Sequence, residues 1–105
     1  MKSARTKACE ISREVRFDVG KRDSYTCVLC DRPGIPNAHF IPKSAGGLGI
    51  KENIICLCPY CHTDYDNGYH KDKNLRKLLG ERIEHYLRSC YEGWEKEDLY
   101  YRKGL

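Results

Sequence analysis

Cys27-Val-Leu-Cys30 and Cys58-Pro-Tyr-Cys61 are two CxxC pairs separated by 27 residues. That is the layout of a four-thiolate zinc site. Cys27, Cys30, Cys58 and Cys61 are therefore expected to hold one structural Zn2+. His62 follows the last cysteine directly, and Asp66 stands four residues further on. On a helix that spacing puts an imidazole and a carboxylate on one face. Between the two pairs lie His39 and Asn53, with thirteen residues between them.

The string Cys58-Pro-Tyr-Cys61 has a second reading, because it resembles the redox motif of glutaredoxins. A CxxC at a helix N-terminus lowers the first thiol's pKa and makes a dithiol oxidoreductase. That fold needs a βαβ pattern around the motif, whereas here the motif follows a loop-rich block. It would also leave the pair at 27 and 30 without a purpose. The metal reading uses all four thiols.

The enclosed polar residues are more specific. Ala38-His39-Phe40-Ile41-Pro42-Lys43-Ser44 is followed by the Gly46-Gly47 pair, then Glu52-Asn53-Ile54-Ile55-Cys56-Leu57-Cys58, then Pro59-Tyr60-Cys61-His62. Together these pieces, spread over residues 27–66, resemble the HNH nuclease family, in particular the small HNH proteins of bacterial and phage genomes. The resemblance implies an α+β fold with a ββα-metal, treble-clef-like core, in which a two-stranded hairpin and a helix flank the active site. It also implies a metal-dependent DNA endonuclease. Cutting a phosphodiester takes a base to activate water, a cation to offset phosphorane charge, and help for the leaving 3′ oxygen. His39 matches the family's general base, and an imidazole titrates near neutral pH as that role requires. Asn53 matches the middle Asn, whose side chain braces the loop. His62 matches the metal-binding third position, with Asp66 as a second ligand, and a hydrated Mg2+ or Mn2+ suits that pair. Many members carry Asp or His just before the base as a further ligand. Ala38 stands there instead, so the cation would rest on His62, Asp66, water and phosphate, and bind weakly without DNA. Asn37 is expected to face the other side of the strand.

Composition bounds the rest. The chain has 105 residues, 40% apolar and 32% charged, which suits one small domain with a modest core. The block from Cys27 to Cys61 holds three prolines before Lys43 and three glycines after it, so much of it is loop. A structural zinc is worth roughly 10–16 kcal/mol in finger peptides, comparable to a whole domain's stability of about 5–15 kcal/mol. The formal charge of +4 falls to about +2 once four thiolates bind Zn2+. Residues 1–51 hold ten Lys/Arg against five Asp/Glu, and this basic front half suits a polyanion partner. Arg22, Lys43 and Ser44 are the expected phosphate contacts. The first ten residues are polar and basic, without the apolar stretch of a signal peptide. The expected compartment is the cytosol of a bacterial or phage-infected cell, where thiols stay reduced. Cys9, Cys56 and Cys90 then read as small apolar residues.

These residues must be positioned by a few short elements. Residues 1–10 read as a loose basic arm. Ile11, Val15 and Val19 recur every four residues and predict a helix from Ser12 to about Arg22, inside an N-terminal segment of 11–26. Strands are expected over 37–41 and 53–57 in a zinc-clasped core of 27–70. Pro59 suits the first turn of a helix that Asn67-Gly68 would end. Leu75, Leu78, Leu79, Ile83, Tyr86, Leu87 and Cys90 form an amphipathic stripe within 71–105, interrupted in propensity at Gly80. Trp94, Tyr100 and Tyr101 are expected to pack back on the domain.

The expected partner is duplex DNA cut with little sequence preference, because several side chains aimed into a groove are needed to read bases and no recognition helix is visible. A protein partner or a homodimer is compatible with the sequence, and a membrane is not expected. The second reading, of another class, is a zinc-clasped nucleic-acid or protein-binding module that lost its activity. Ala38 favours it, and the joint presence of His39, Asn53 and His62 opposes it.

Overall fold

Ser3 and Ser12 both hold extended backbone, and each accepts the N–H three residues on, from Thr6 and Val15 at 3.1 Å. Such caps satisfy donors that a helix start leaves open. In this computed structural model, which describes residues 2–68 and 72–103, they open helices α1 (Ala4–Cys9) and α2 (Arg13–Arg22). The expected loose arm is thus a short helix, and its last residue, Cys9, is buried at 2% exposure. Helix α2 places Val19 against Ile54 and Cys56, with Ile11 and Val15 beside them. It stops at Arg22, short of the 11–26 segment, because Ser24 and Tyr25 adopt φ of 55° and 49°. Left-handed residues cannot continue a right-handed helix.

The chain then enters a tight knuckle. The Cys27 N–H donates to Arg32 O at 2.7 Å, and the Asp31 N–H donates to Cys27 O at 3.0 Å. Strand β1 (Ile35–His39) follows and pairs antiparallel with β2 (Ile54–Leu57), with Ala38 opposite Ile55 and His39 opposite Ile54. The first strand lies two residues earlier than the pattern predicts. It ends at His39 because the Ile41 N–H goes to the Asn53 side chain instead of the ladder.

Helix α3 (Pro59–Gly68) crosses the hairpin, and the Tyr65 hydroxyl donates to Phe40 O at 2.7 Å. Helix α4 (Lys73–Cys90) is capped by Asp72, which accepts the Leu75 N–H at 3.0 Å. It runs unbroken through Gly80, which lies against the Tyr65 ring. Ile83 and Leu87 are fully buried with Tyr65, Leu57 and Phe40, while Leu78 at the start of the stripe stays 60% exposed. Past α4 the chain folds back. The Trp94 Nε1–H donates to Glu52 O at 2.8 Å, and the Tyr101 N–H donates to Gly46 O at 2.7 Å. Among the described residues no helix is long and apolar enough to cross a membrane. His85 is exposed on α4, and His70 lies outside the described residues.

Candidate active site

The knuckle and the start of α3 bring four sulfurs together. One ligand atom from each of Cys27, Cys30, Cys58 and Cys61 lies within 4.8 Å of the others, and the Cys30 and Cys58 sulfurs are 3.5 Å apart. Tetrahedral Zn–S bonds of about 2.3 Å put sulfurs about 3.8 Å apart, so the donor set and spacing suit zinc. The Cys61 N–H donates to the Cys58 sulfur at 3.4 Å and pulls that thiol down to about 7. Burial pushes the Cys61 thiol up. Four thiols this close cannot all ionise without a cation between them. The four cysteines are positioned to bind a metal ion, and both cysteines of the redox-like string belong to that cluster. Cys9 and Cys56 are buried elsewhere as packing residues.

Helix α3 begins at this clasp and carries His62 and Asp66. The His62 Nε2 and Asp66 Oδ2 lie 3.2 Å apart, one helical turn from each other. They open onto a cavity of about 630 Å3 that His39 and Lys43 also line. The same cavity is walled by Asn37 of β1 and by Glu10, Ile11 and Arg16 from the N-terminal part of the chain. His39 is partly buried, and this burial lowers its pKa from the ordinary imidazole value; Lys43 and His62 act in the same direction, against the Cys9 carbonyl and Asp66. Its Nε2 lies 2.8 Å from Cys9 O. Glu10 is paired with Lys2 at 2.7 Å, and that bond holds its carboxyl below the usual range.

Asn53 is fully buried below the site. Its Oδ1 accepts the Ile41 N–H at 2.8 Å, while Nδ2 donates to Ile41 O at 3.1 Å and Leu48 O at 2.8 Å. Its own carbonyl accepts the Phe40 N–H at 2.8 Å, next to His39. One side chain thus ties both ends of the loop from 41 to 48 and holds its strand against the residue after His39.

Three expectations change. Arg22 was expected at phosphate, but its five N–H groups go to Asp23, Lys51 O, Tyr91 and Ile54 O at 2.7–3.0 Å. A guanidinium has five donors, so none remains for an anion. Ser44 is exposed, but only Lys43 of that pair lines the cavity; the Ser44 carbonyl accepts from Arg5 Nη2 at 3.1 Å. Asn37 shares the cavity face with His39, as alternate strand residues do, while Ala38 is 1% exposed in the apolar core. Among the described residues, the cysteines are the one group of three or more metal-ligating side chains close enough to share an ion. His62 and Asp66 offer two ligands.

The family model described as HNH endonuclease matches residues 27–68, a span holding all four cysteines, His39, Asn53, His62 and Asp66. Anaredoxin of Nostoc sp. (strain PCC 7120 / SAG 25.82 / UTEX 2576) is 36% identical over 58 residues, which are 53% of this chain and 76% of that protein. The chain belongs to the HNH endonuclease family. The Type IV methyl-directed restriction enzyme EcoKMcrA of Escherichia coli (strain K12) is 39% identical over 41 residues, 39% of this chain and 13% of the enzyme. No solved structure matches the chain. Glu10, Ile11 and Arg16 lie outside the HNH span, and sequence reasoning missed them as cavity residues. No spacing rule links them to His39, and only the basic character of the front half hints that this segment meets a polyanion.

Proposed function

We propose that this HNH domain is a metal-dependent DNA endonuclease that hydrolyses phosphodiester bonds. The observation that carries the reading is one cavity lined by His39, His62 and Asp66, with the cations Lys43 and Arg16 at its wall. A base, a cation-binding pair and phosphate-attracting charge are the parts that such hydrolysis needs. His39 takes a proton from the attacking water, and its lowered pKa keeps the ring neutral and competent near neutral pH. Lys43 and Arg16 draw the phosphate in. Asn53 keeps the loop that follows His39 in place. His62 and Asp66 would hold a Mg2+ or Mn2+, and the bound ion supplies positive charge against the crowded phosphate and the leaving oxygen. Duplex DNA is the substrate in this reading, in keeping with the Escherichia coli relative being a restriction enzyme.

The deciding experiment incubates supercoiled plasmid with the protein and Mg2+ or Mn2+, beside His39→Ala and a chelator control. Nicking or linearisation that falls by about 10²–10⁴-fold in His39→Ala is the expected result. Undiminished cutting by that variant would remove His39 from the role of base.

A second reading is a zinc-clasped module that binds nucleic acid or protein without cutting. One observation favours it: the cation pair has two side-chain ligands, and position 38 faces the core, so no third ligand comes from there. DNA retardation without cleavage under any divalent metal would select it.

A further inference from the structure

The carbonyl oxygen of Cys9 lies 2.8 Å from His39 Nε2. A carbonyl oxygen only accepts, so in a neutral ring this nitrogen carries the hydrogen and Nδ1 keeps the lone pair. Cys9 comes from α1, outside the span shared with other HNH proteins.

Several contacts fix that carbonyl in place. The Cys9 side chain is buried. The Gly49 N–H donates to Ala8 O at 2.9 Å, and Arg5 Nη2 donates to Ser44 O at 3.1 Å. Gly49 approaches so closely that a Cβ there would overlap the Glu10 carbonyl. The segment is therefore stitched to the loop after His39 at both of its ends. Glu10 and Ile11 then continue directly into the cavity wall.

We infer that the segment Ser3–Ile11 is a positioning element of the hydrolytic site: through the Cys9 carbonyl it holds His39 as the Nε2–H tautomer and reserves Nδ1 as the proton acceptor. This rests on reading His39 as the base, but the tautomer is measurable without any cleavage. A tether that served stability alone would have no reason to end on the ring of His39. Freed from it, a neutral imidazole exchanges tautomers and turns about its side-chain bonds, and only part of the population presents the correct nitrogen.

The test is a long-range 1H–15N correlation spectrum of the full-length, zinc-loaded protein at mildly alkaline pH, with His39→Gln identifying the His39 ring. One ring with a protonated Nε2 and a bare Nδ1 is expected. A protonated Nδ1, or an averaged ring, overturns the inference. Gly49→Ala should then push the segment away. The His39 signals should move towards the averaged position, and plasmid cleavage should fall by roughly 100-fold, the cost that a misplacement of about 1 Å can carry. Zinc content reports whether that variant folds. Should it not fold, Arg5→Ala loosens the same segment from the surface and should shift the ring in the same direction by a smaller amount. A ring unchanged in a folded Gly49→Ala protein would also overturn the inference. Wild-type protein with the Nε2–H ring and no cleavage would refute the nuclease reading alone, and cleavage with an Nδ1–H ring would refute the positioning role alone.

Discussion

The four-cysteine clasp and the cavity lined by His39 share helix α3 and differ in almost everything else. The clasp gathers four like ligands from two short turns, with Cys27 and Cys58 buried. The cavity gathers unlike groups from the N-terminal segment, a strand, a loop and a helix, and leaves Asp66 exposed. A closed four-ligand set spends its coordination on stability, whereas an incomplete one leaves positions for water and substrate. The proximity of the two is economical in structure: the helix that the clasp starts carries His62 in its first turns, so its register is set by the sulfurs.

If the clasp is the source of stability, removing its metal has the largest effect. Chelation, or Cys30→Ser, should abolish cooperative thermal unfolding followed by circular dichroism, since on the order of 10 kcal/mol of folding energy is coupled to such a metal. A metal-free chain that still melts cooperatively would break the contrast. The buried ion pair beside α2 comes next. Asp23 has a fully buried side chain that accepts from Arg22, the Tyr86 hydroxyl and the Cys56 N–H. Arg22→Met should cost about 3–5 kcal/mol in urea unfolding, because it leaves a buried carboxylate unpaired. The salt dependence of DNA binding by the folded variant should not change, which separates this cation from Lys43. Asn53→Ala strips partners from Ile41 and Leu48 and should cost about 1–3 kcal/mol by the same measurement. It also loosens the loop after His39, so cleavage should fall more than zinc content does.

The smallest effect is in pH. His39 has a folded pKa below its unfolded value of about 6.5, so the fold favours the neutral ring. That contribution is complete above the unfolded value and is lost as pH falls through the lowered folded pKa. The acid limb of a plasmid-cleavage profile should therefore lie below about 6.5. A limb at or above that value would mean that the cavity is wetter, and closer to an ordinary surface, than the contrast with the clasp requires.

Much of the site is legible in spacing. The two CxxC pairs and the His62–Asp66 turn are set by a few covalent bonds and one helical repeat, so the sequence shows them directly. The helix caps at Ser12 and Asp72 and the entry of α3 at Pro59 are local in the same sense. Helix α1 is not legible in the sequence because a six-residue helix has little propensity signal, and its stability comes from burying Cys9 against the rest of the fold. The first strand ends at His39 rather than Ile41 because Asn53, twelve residues away in sequence, captures the Ile41 N–H.

What the sequence determined by itself is the ligand chemistry: four thiols paired for one metal ion, and an imidazole and a carboxylate one turn apart. The tertiary structure alone decided three further matters. Arg22 spends every donor inside the protein, Asn37 rather than Ala38 faces the cavity, and the Cys9 carbonyl reaches His39 from thirty residues away. Local geometry dictates which groups within a turn can meet. Which distant groups meet is settled by how α1, α2 and the hairpin bury their apolar faces, and no short-range pattern encodes that.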